Sequence, residues 1–490
     1  MRRAWSIWFV AFVLIGAGWA LVTPVDQYPD EIDHVYRAVS VARGEVFPHI
    51  GAYWGGTGAI TNVPIGVWQS VYRGPCRGLL TTTRCSTASA PAGEITVVSS
   101  EGRNFPLYYA LVGWPSLLAP GRAGWYFMRL ASAVWCAMAL ATGALVIMSM
   151  SRRPLVAAGA MLVGLTPLAL DLSGSINPSG LEAASALCFW AVLLALIQRN
   201  SALSRRLLVT LGLISGGVLV TCRSLGWLWA ALAILLSLAS VESAGRRWFL
   251  RSGAARVLLA GMAAAAGVAE LWSVTFHSYQ VFRINAPPAG LAAAARSSLE
   301  ATTKLLRETL AYLGWLTIPP PAVAEVCWIL AAAAVIVIGV LSGRRPGLLT
   351  VAGAALVVAV PFVILTFAFA HPAIGIWQGR YTLPLAIGAA LPAVASARGQ
   401  QRRGHQTTAA LLASGAIVLV VWAQVAVYLG AWARFAAQVQ FRYATLGQAM
   451  LALGGLGVLA NVAWTDIRWS LASRSRAHSP ERTPIRSGPP

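Results

Sequence analysis

Four acids fall within eight residues, Asp26, Asp30, Glu31 and Asp33, in the stretch from Val25 to Arg37 that also carries His34, Tyr36 and Arg37. The whole chain has only 16 acidic side chains against 37 basic ones. Adjacent carboxylates beside a long apolar run are costly unless they cap a helix, bind a cation or move a proton. Asp30 and Glu31 suit the last two roles: together they offer oxygens to a divalent cation such as Mg or Mn, and either can act as general base for an acceptor hydroxyl. A second account needs no chemistry. Asp30 reads as the N-cap of a short helix that Gly44 stops, and Arg37, one turn beyond Asp33, pairs with it. That account leaves Glu31 and Asp26 unexplained.

The elements that must hold these residues are membrane helices. The composition is 57% hydrophobic and 11% charged, with a mean hydropathy of +0.67, which excludes a soluble globule of 490 residues. Runs of about 17 to 25 apolar residues are what a bilayer demands of a helix. Roughly twelve such runs occur, near residues 4–24, 125–150, 154–171, 181–198, 207–222, 226–241, 257–275, 324–341, 347–370, 381–396, 407–430 and 447–465. The fold class is therefore an all-α integral membrane protein. Residues 105–120, broken by Pro106, Pro115 and Pro120 and carrying Tyr108, Tyr109 and Trp114, read as an interfacial helix rather than a span. The run after Arg2 and Arg3 has no small-residue cleavage site before Thr23 and Pro24, so it reads as a retained anchor.

Arginines sort the loops. Arg152/Arg153, Arg199/Arg205/Arg206, Arg246/Arg247/Arg251, Arg344/Arg345 and Arg402/Arg403 fall on one side, where Glu242, Asp466 and Glu481 are the only acids. The positive-inside rule makes that side the cytoplasm, with both termini inside a plasma (inner) membrane. The net charge of +21 is thus a topology signal, and nucleic acid is not a partner. On the outer side lie a long first loop, 25–124, and a second, 276–324; the polytopic region extends to about residue 470, and 471–490 reads as a disordered cytoplasmic tail. Cys76 and Cys85, in a Gly/Thr/Ser-rich part of the first loop, face an oxidising compartment and are expected to pair. The stretch from Arg296 to Tyr312 spaces Leu299, Leu306 and Leu310 against charged residues and reads as a helix lying on the outer leaflet or on the protein's own outer surface.

The acidic pair after the first span, followed by His34, Tyr36 and a small-residue helix ending at Gly44, resembles the first-loop signature of the GT-C superfamily, multi-spanning glycosyltransferases that use polyprenyl-phosphate-linked sugars. Further stretches carry a narrower resemblance: Asn104-Phe-Pro-Leu-Tyr-Tyr109, Gly174-Ser-Ile-Asn-Pro-Ser-Gly-Leu-Glu182, Gly314-Trp-Leu316 and Gln378-Gly-Arg-Tyr-Thr-Leu-Pro384. Together, over residues 1 to about 430, they are similar to a bacterial family of predicted membrane proteins of unknown function that is grouped with GT-C enzymes. One departure stands out. The family's stretch commonly reads Asn-Pro-Asp-Gly, and here Ser179 replaces the acid; Asp171 and Glu182 lie nearby, and Asn177-Pro178-Ser179-Gly180 also reads simply as a turn.

The resemblance implies a GT-C-like fold and an inverting transfer of a sugar from a polyprenyl-phosphate donor to a glycan or lipid acceptor of the cell envelope, on the outer face. Such a transfer needs a base for the acceptor, positive charge for the departing phosphate and an apolar groove for the polyprenyl chain. Asp30 is the first candidate base and Glu31 the second, with a divalent cation between them. Arg380 is the best phosphate partner because its planar fork binds two oxygens at once, and Arg223, between two spans, is another. Tyr381 adjoins Arg380; Arg37 shares a helix face with Asp30 and Asp33, and His34 and His371 are further candidates for phosphate or sugar. The competing reading is a transporter or flippase for lipid-linked saccharide, or a non-catalytic assembly protein.

Overall fold

A computed structural model describes residues 2–53, 56–72, 93–151, 153–279, 290–371, 377–396, 403–439 and 441–477. Nine helices among the described residues are long and apolar enough to cross a bilayer, or ten if one bent pair counts as a span. The expected count of about twelve shrinks at three places, each for a local reason. The run 154–171 breaks into Pro154–Gly164 and Pro167–Ser173, bent by 73°, because Pro167 cannot continue the first helix and Thr166 caps the second, its Oγ1 accepting from the Ala169 amide at 3.2 Å. Gly226–Ala239 is only 14 residues long, roughly 21 Å against a hydrocarbon core of about 30 Å. The run 381–396 becomes a 3-10 turn, Gly379–Thr382, and the short helices Leu383–Ala386 and Leu391–Ser396, with Pro384 and Pro392 at their starts.

The membrane fold is all-α, but the long first loop adds a small sheet that the sequence pattern does not announce. Strands β1 (His49–Tyr53), β2 (Gly56–Pro64) and β3 (Glu94–Ser99) pair antiparallel in the order β1-β2-β3. Gly51, Gly56 and Gly58 dilute the alternation that would mark the first two strands. The expected Cys76–Cys85 pair lies outside the described residues. Leu107–Gly113 and Pro115–Leu118 replace the interfacial helix at 105–120, too short to span. The tail expected from residue 471 is helical as far as Ala477.

The Pro178–Gln198 helix is the centre, buried along its whole length and apolar on every side, as a helix surrounded by other helices should be. Helix α1 (Arg2–Val22) packs between Arg122–Met150 and Phe441–Ala477. Its seam with the last helix is lined by small residues. A Cβ on Gly447 would meet the Gly18 carbonyl at 3.0 Å, and one on Gly454 the Ala11 carbonyl at 2.7 Å, so only glycine allows the two backbones this close. Outside the spans, α2 (Glu31–Ala42) lies on Leu107–Gly113, where Gly113 leaves room for the Ala38 carbonyl. The amphipathic helix is longer than its pattern, Leu291–Ala311; Leu299 and Leu306 point outward while Glu308 and Leu310 are buried.

Candidate functional site

The acidic mouth separates into two ion pairs that face different ways. Glu31 belongs to the first. Its carboxylate, fully buried, accepts from Arg129 Nε at 2.7 Å and Nη2 at 2.5 Å, and also from the backbone amides of Asp26 (3.2 Å) and Ile176 (3.3 Å). Arg129 donates further to the carbonyls of Ala20 (3.1 Å), Thr23 (2.6 Å) and Pro24 (2.9 Å). These carbonyls are at or beyond the C-terminus of α1, where helix carbonyls lack partners and a cation is favoured. The Arg129–Glu31 pair therefore ties α1, α2 and the Arg122–Met150 helix together. Four donors occupy the lone pairs of Glu31, expected as a base or metal ligand, and hold it in a structural position.

Asp30 belongs to the second pair and faces Arg380. The helix begins at Glu31, and Asp30 does not cap it: the residue is left-handed, φ 59°, with no side-chain bond to the first turn. Its carboxylate pairs with Arg380 Nη2. The Arg380 side chain is 2% exposed and that of Asp30 28%, so the acid is reached from outside while the guanidinium behind it is not. Left-handed backbone at a non-glycine residue costs about 1–3 kcal/mol and persists only where the surroundings impose it. Here the Pro29 carbonyl is held from two sides, by Arg380 Nη1 (3.1 Å) and Asn177 Nδ2 (3.1 Å).

Arg380 itself is set by the amphipathic helix. The Gly379 amide donates to Glu308 at 2.9 Å and the Thr309 hydroxyl to the Gly379 carbonyl at 3.1 Å, and Gly379 has no space for a Cβ against the Glu308–Thr309 backbone. Burial opposes the Arg380 charge, but Tyr381 and Asp30 more than offset it and hold the guanidinium above its ordinary value. Arg223, at the end of Arg205–Cys222, brings a second guanidinium. Its Cζ lies 4.5 Å from the Tyr381 ring centroid and that of Arg380 5.1 Å. Arg223 Nη1 also donates to Ser179 Oγ at 3.4 Å. Ser179 thus sits beside a cation, in a stretch that forms a helix start: Asn177 is the N-cap and Pro178 the first helical residue.

His34 is close behind. Its Nδ1 is 2.9 Å from Tyr109 Oη and 3.8 Å from Glu101. Burial, then Arg223, push its pKa well below the usual value while Asp30 opposes them. His34 Nε2, Arg380 Nε and both oxygens of Glu182 are buried with no hydrogen-bond partner. Asp30, His34, Arg223, Arg380 and Tyr381 thus lie in one cluster, with two guanidiniums beside one partly exposed carboxylate.

Two expected members stand apart. Arg37 does not pair with Asp33; it donates to the carbonyls of Asn104 (3.0 Å), Glu45 (3.3 Å) and Val46 (2.9 Å), closing the loop after α2, and burial lowers its pKa to about 10. Asp33 accepts from the Ser100 amide at 2.9 Å instead and fastens the end of β3 to α2. His371 is exposed at the end of Arg344–Ala370, its Nδ1 3.1 Å from the Phe367 carbonyl. Asp26, unexplained in the sequence, serves through its backbone: its carbonyl accepts from Trp315 Nε1 at 2.6 Å. The residue that sequence reasoning missed is Arg129, and the signal was present as a lone arginine inside an apolar run.

Among the described residues no group of three or more His, Cys, Asp or Glu side chains is gathered as metal ligands would be. A cation shared by Asp30 and Glu31 would have to displace two guanidiniums from carboxylates that diverge. No curated protein matches the chain. Residues 12–389 match the family model described as predicted membrane protein (DUF2142), which covers the acidic mouth, Arg129, Ser179, Arg223 and Arg380, and the chain belongs to that family.

Proposed function

We propose that the protein is a membrane glycosyltransferase, taking a sugar from a polyprenyl-phosphate donor and passing it to a glycan or lipid hydroxyl on the outer face of the plasma membrane, with both termini in the cytoplasm. The observation that carries the reading is the pairing of a partly exposed acid, Asp30, with a buried arginine, Arg380, beside a second arginine, Arg223. Two guanidiniums beside this one partly exposed carboxylate offer N–H groups suited to a phosphate, with Glu101 and Glu182 also acting on Arg223. The entering phosphate takes over Arg380 and releases Asp30. The acceptor oxygen then attacks the anomeric carbon, its proton passes to Asp30, and the carbon–oxygen bond to phosphate breaks with the electron pair leaving on the phosphate, which the arginines stabilise. An apolar cleft of about 480 Å³, lined by Phe12, Trp19, Leu162, Val420, Tyr428 and Leu459 among others, suits the polyprenyl chain.

The test is transfer from radiolabelled polyprenyl-phosphate sugars by the purified protein. Asp30→Asn and Arg380→Gln should each abolish transfer while Glu31→Gln, where it folds, retains it; full activity in Asp30→Asn would overturn the reading. Chelation in the same assay tests the expected Mg or Mn. One observation favours the second reading, a transporter of lipid-linked saccharide: the 73° break between Pro154–Gly164 and Pro167–Ser173, since discontinuous helices mark transport sites. Movement of lipid-linked sugar across vesicles without transfer would establish it.

A further inference from the structure

The helix Leu291–Ala311 presents three different faces. At about 3.6 residues per turn, Leu291, Leu299 and Leu306 fall within about 80° of one another around its axis, and Arg296, Glu300, Lys304 and Arg307 share a similar arc on another side. Ala294, Ser298 and Leu305 make up the third face, which is buried, and the helix packs along Arg344–Ala370. The charged face is open to solvent, where Arg296 Nε meets Glu300 Oε1 at 3.3 Å. The leucine face is as open: Leu291 is 72% exposed, Leu299 67% and Leu306 40%. The protein thus covers one face of the amphipathic pattern and leaves its leucines uncovered.

What lies against the leucines follows from their neighbours. Arg307 Nε donates to Glu325 Oε1 at 2.7 Å, fastening the helix to the first turn of Ala322–Leu341, which is long and apolar enough to cross a bilayer. Val323 and Val326 flank Glu325 and are exposed. Exposed valines on a membrane-crossing helix face acyl chains. Leu306 precedes Arg307, so the leucine face ends beside a surface that lipid covers. At the boundary of acyl chains and headgroups an amphipathic helix is stabilised with its apolar face in the leaflet and its charged face in water. The last turn of the same helix bears on the acidic mouth. It is buried from Glu308 to Ala311, and there Glu308 accepts from the Gly379 amide at 2.9 Å while the Thr309 hydroxyl donates to the Gly379 carbonyl at 3.1 Å. Arg380 is the next residue.

We propose that the Leu291, Leu299 and Leu306 face docks into the lipid leaflet on the side of the acidic mouth, and that this contact holds the last turn of the helix, and with it the Gly379–Arg380 backbone, in place. The proposal names a lipid surface as partner and stands without the transfer reaction. It is tested on the full-length protein in nanodiscs of phosphatidylglycerol and phosphatidylethanolamine. p-Benzoylphenylalanine in place of Leu299 or Leu306 should give a lipid adduct on irradiation, read by intact mass, and in place of Glu300 on the charged face it should not. No lipid adduct at either leucine, equal adducts at Glu300, or a crosslink from the leucines to a second copy of the chain would overturn the docking. Hydrogen exchange in the same nanodiscs reads the second half. Leu299→Asp with Leu306→Asp should speed exchange in the last turn of the helix and over Gly379–Thr382 at least about tenfold, the effect of losing the burial of one leucine side chain. Arg296→Gln with Glu300→Gln should leave both segments as they are. Unchanged exchange in the folded leucine variant would overturn the link to Arg380. If that variant does not fold, Leu299→Ala with Leu306→Ala removes the same contact without adding a charge, and unchanged exchange there would overturn the link equally.

Discussion

Glu31→Gln and Asp30→Asn change neighbouring residues by the same chemistry and should have opposite consequences. Glu31 is fully buried, and its carboxylate takes two donors from Arg129 and two from backbone amides. A glutamine keeps one acceptor oxygen, turns an amine toward donors and leaves Arg129 a buried cation with only carbonyl partners. Removing one partner of a buried pair costs about 3–5 kcal/mol, a large share of the stability a folded protein has. Asp30 is partly exposed, and Arg380 retains the Pro29 carbonyl and the Tyr381 hydroxyl when the pair is lost. Water reaches this pair only on the Asp30 side, since Arg380 is buried, so the loss is smaller than that of a pair buried on both sides, and asparagine tolerates the left-handed backbone well. Equilibrium unfolding in mixed micelles of rising sodium dodecyl sulfate content, followed by the fluorescence of the chain's 20 tryptophans, reads both variants. Asp30→Asn should unfold closer to wild type than Glu31→Gln does and lack transfer, whereas Glu31→Gln should unfold early. A Glu31→Gln protein as stable as wild type but inactive would return Glu31 to the chemistry and refute the division of the two acids.

Burial raises the Asp33 carboxyl from 3.8 to about 7, with Glu101 adding to the effect. The folded state then holds this proton more tightly than the unfolded chain does, so its contribution is full below about pH 4 and is lost as pH rises through about 7; Asp33→Asn should flatten that part of a stability-against-pH profile. Gly379→Ala would drive a methyl group into the Glu308–Thr309 backbone, so it should cost about 1–3 kcal/mol, measured by the same unfolding, and displace Arg380 enough to reduce transfer. Ser179→Asp would place a carboxylate against Arg223, where the serine hydroxyl already sits at 3.4 Å; it should unfold within about 1 kcal/mol of wild type, and a loss of about 3–5 kcal/mol would show an unpaired buried charge.

Much of the site was legible because its residues are of a kind that membranes exclude. Asp30 with His34, Arg223, and Arg380 with Tyr381 lie on three separate segments, and charge at the mouths of apolar runs marked each segment. What composition does not encode is direction. Asp30 and Glu31 are adjacent in sequence, yet the left-handed turn at Asp30 sends one carboxylate to Arg380 and the other to Arg129, a choice made by partners 98 and 350 residues away. The Asp33–Arg37 pair failed for the same reason: helical spacing permits it, but the Asn104, Glu45 and Val46 carbonyls are closer to hand once the outer loop folds back. Span counting erred where hydropathy averages over proline. Pro167, Pro384 and Pro392 interrupt the hydrogen-bond ladder without changing the mean apolar character of their segments.

The glycine seam between the first and last helices bears on how the protein is made. Gly18 meets Gly447, so α1 acquires this neighbour only after roughly 430 further residues have been synthesised, on the order of 20–90 s at about 5–20 residues per second. Through that interval the flank of α1 that will carry the seam faces lipid or the insertion machinery, although its other side can already dock on Arg122–Met150. Arg129 can thus secure Glu31 early, whereas the Asp30–Arg380 pair waits until most of the chain is in the bilayer. A nascent chain arrested before residue 380 would have Glu31 secured and Asp30 still without Arg380, so the second ion pair of the acidic mouth is the last to form.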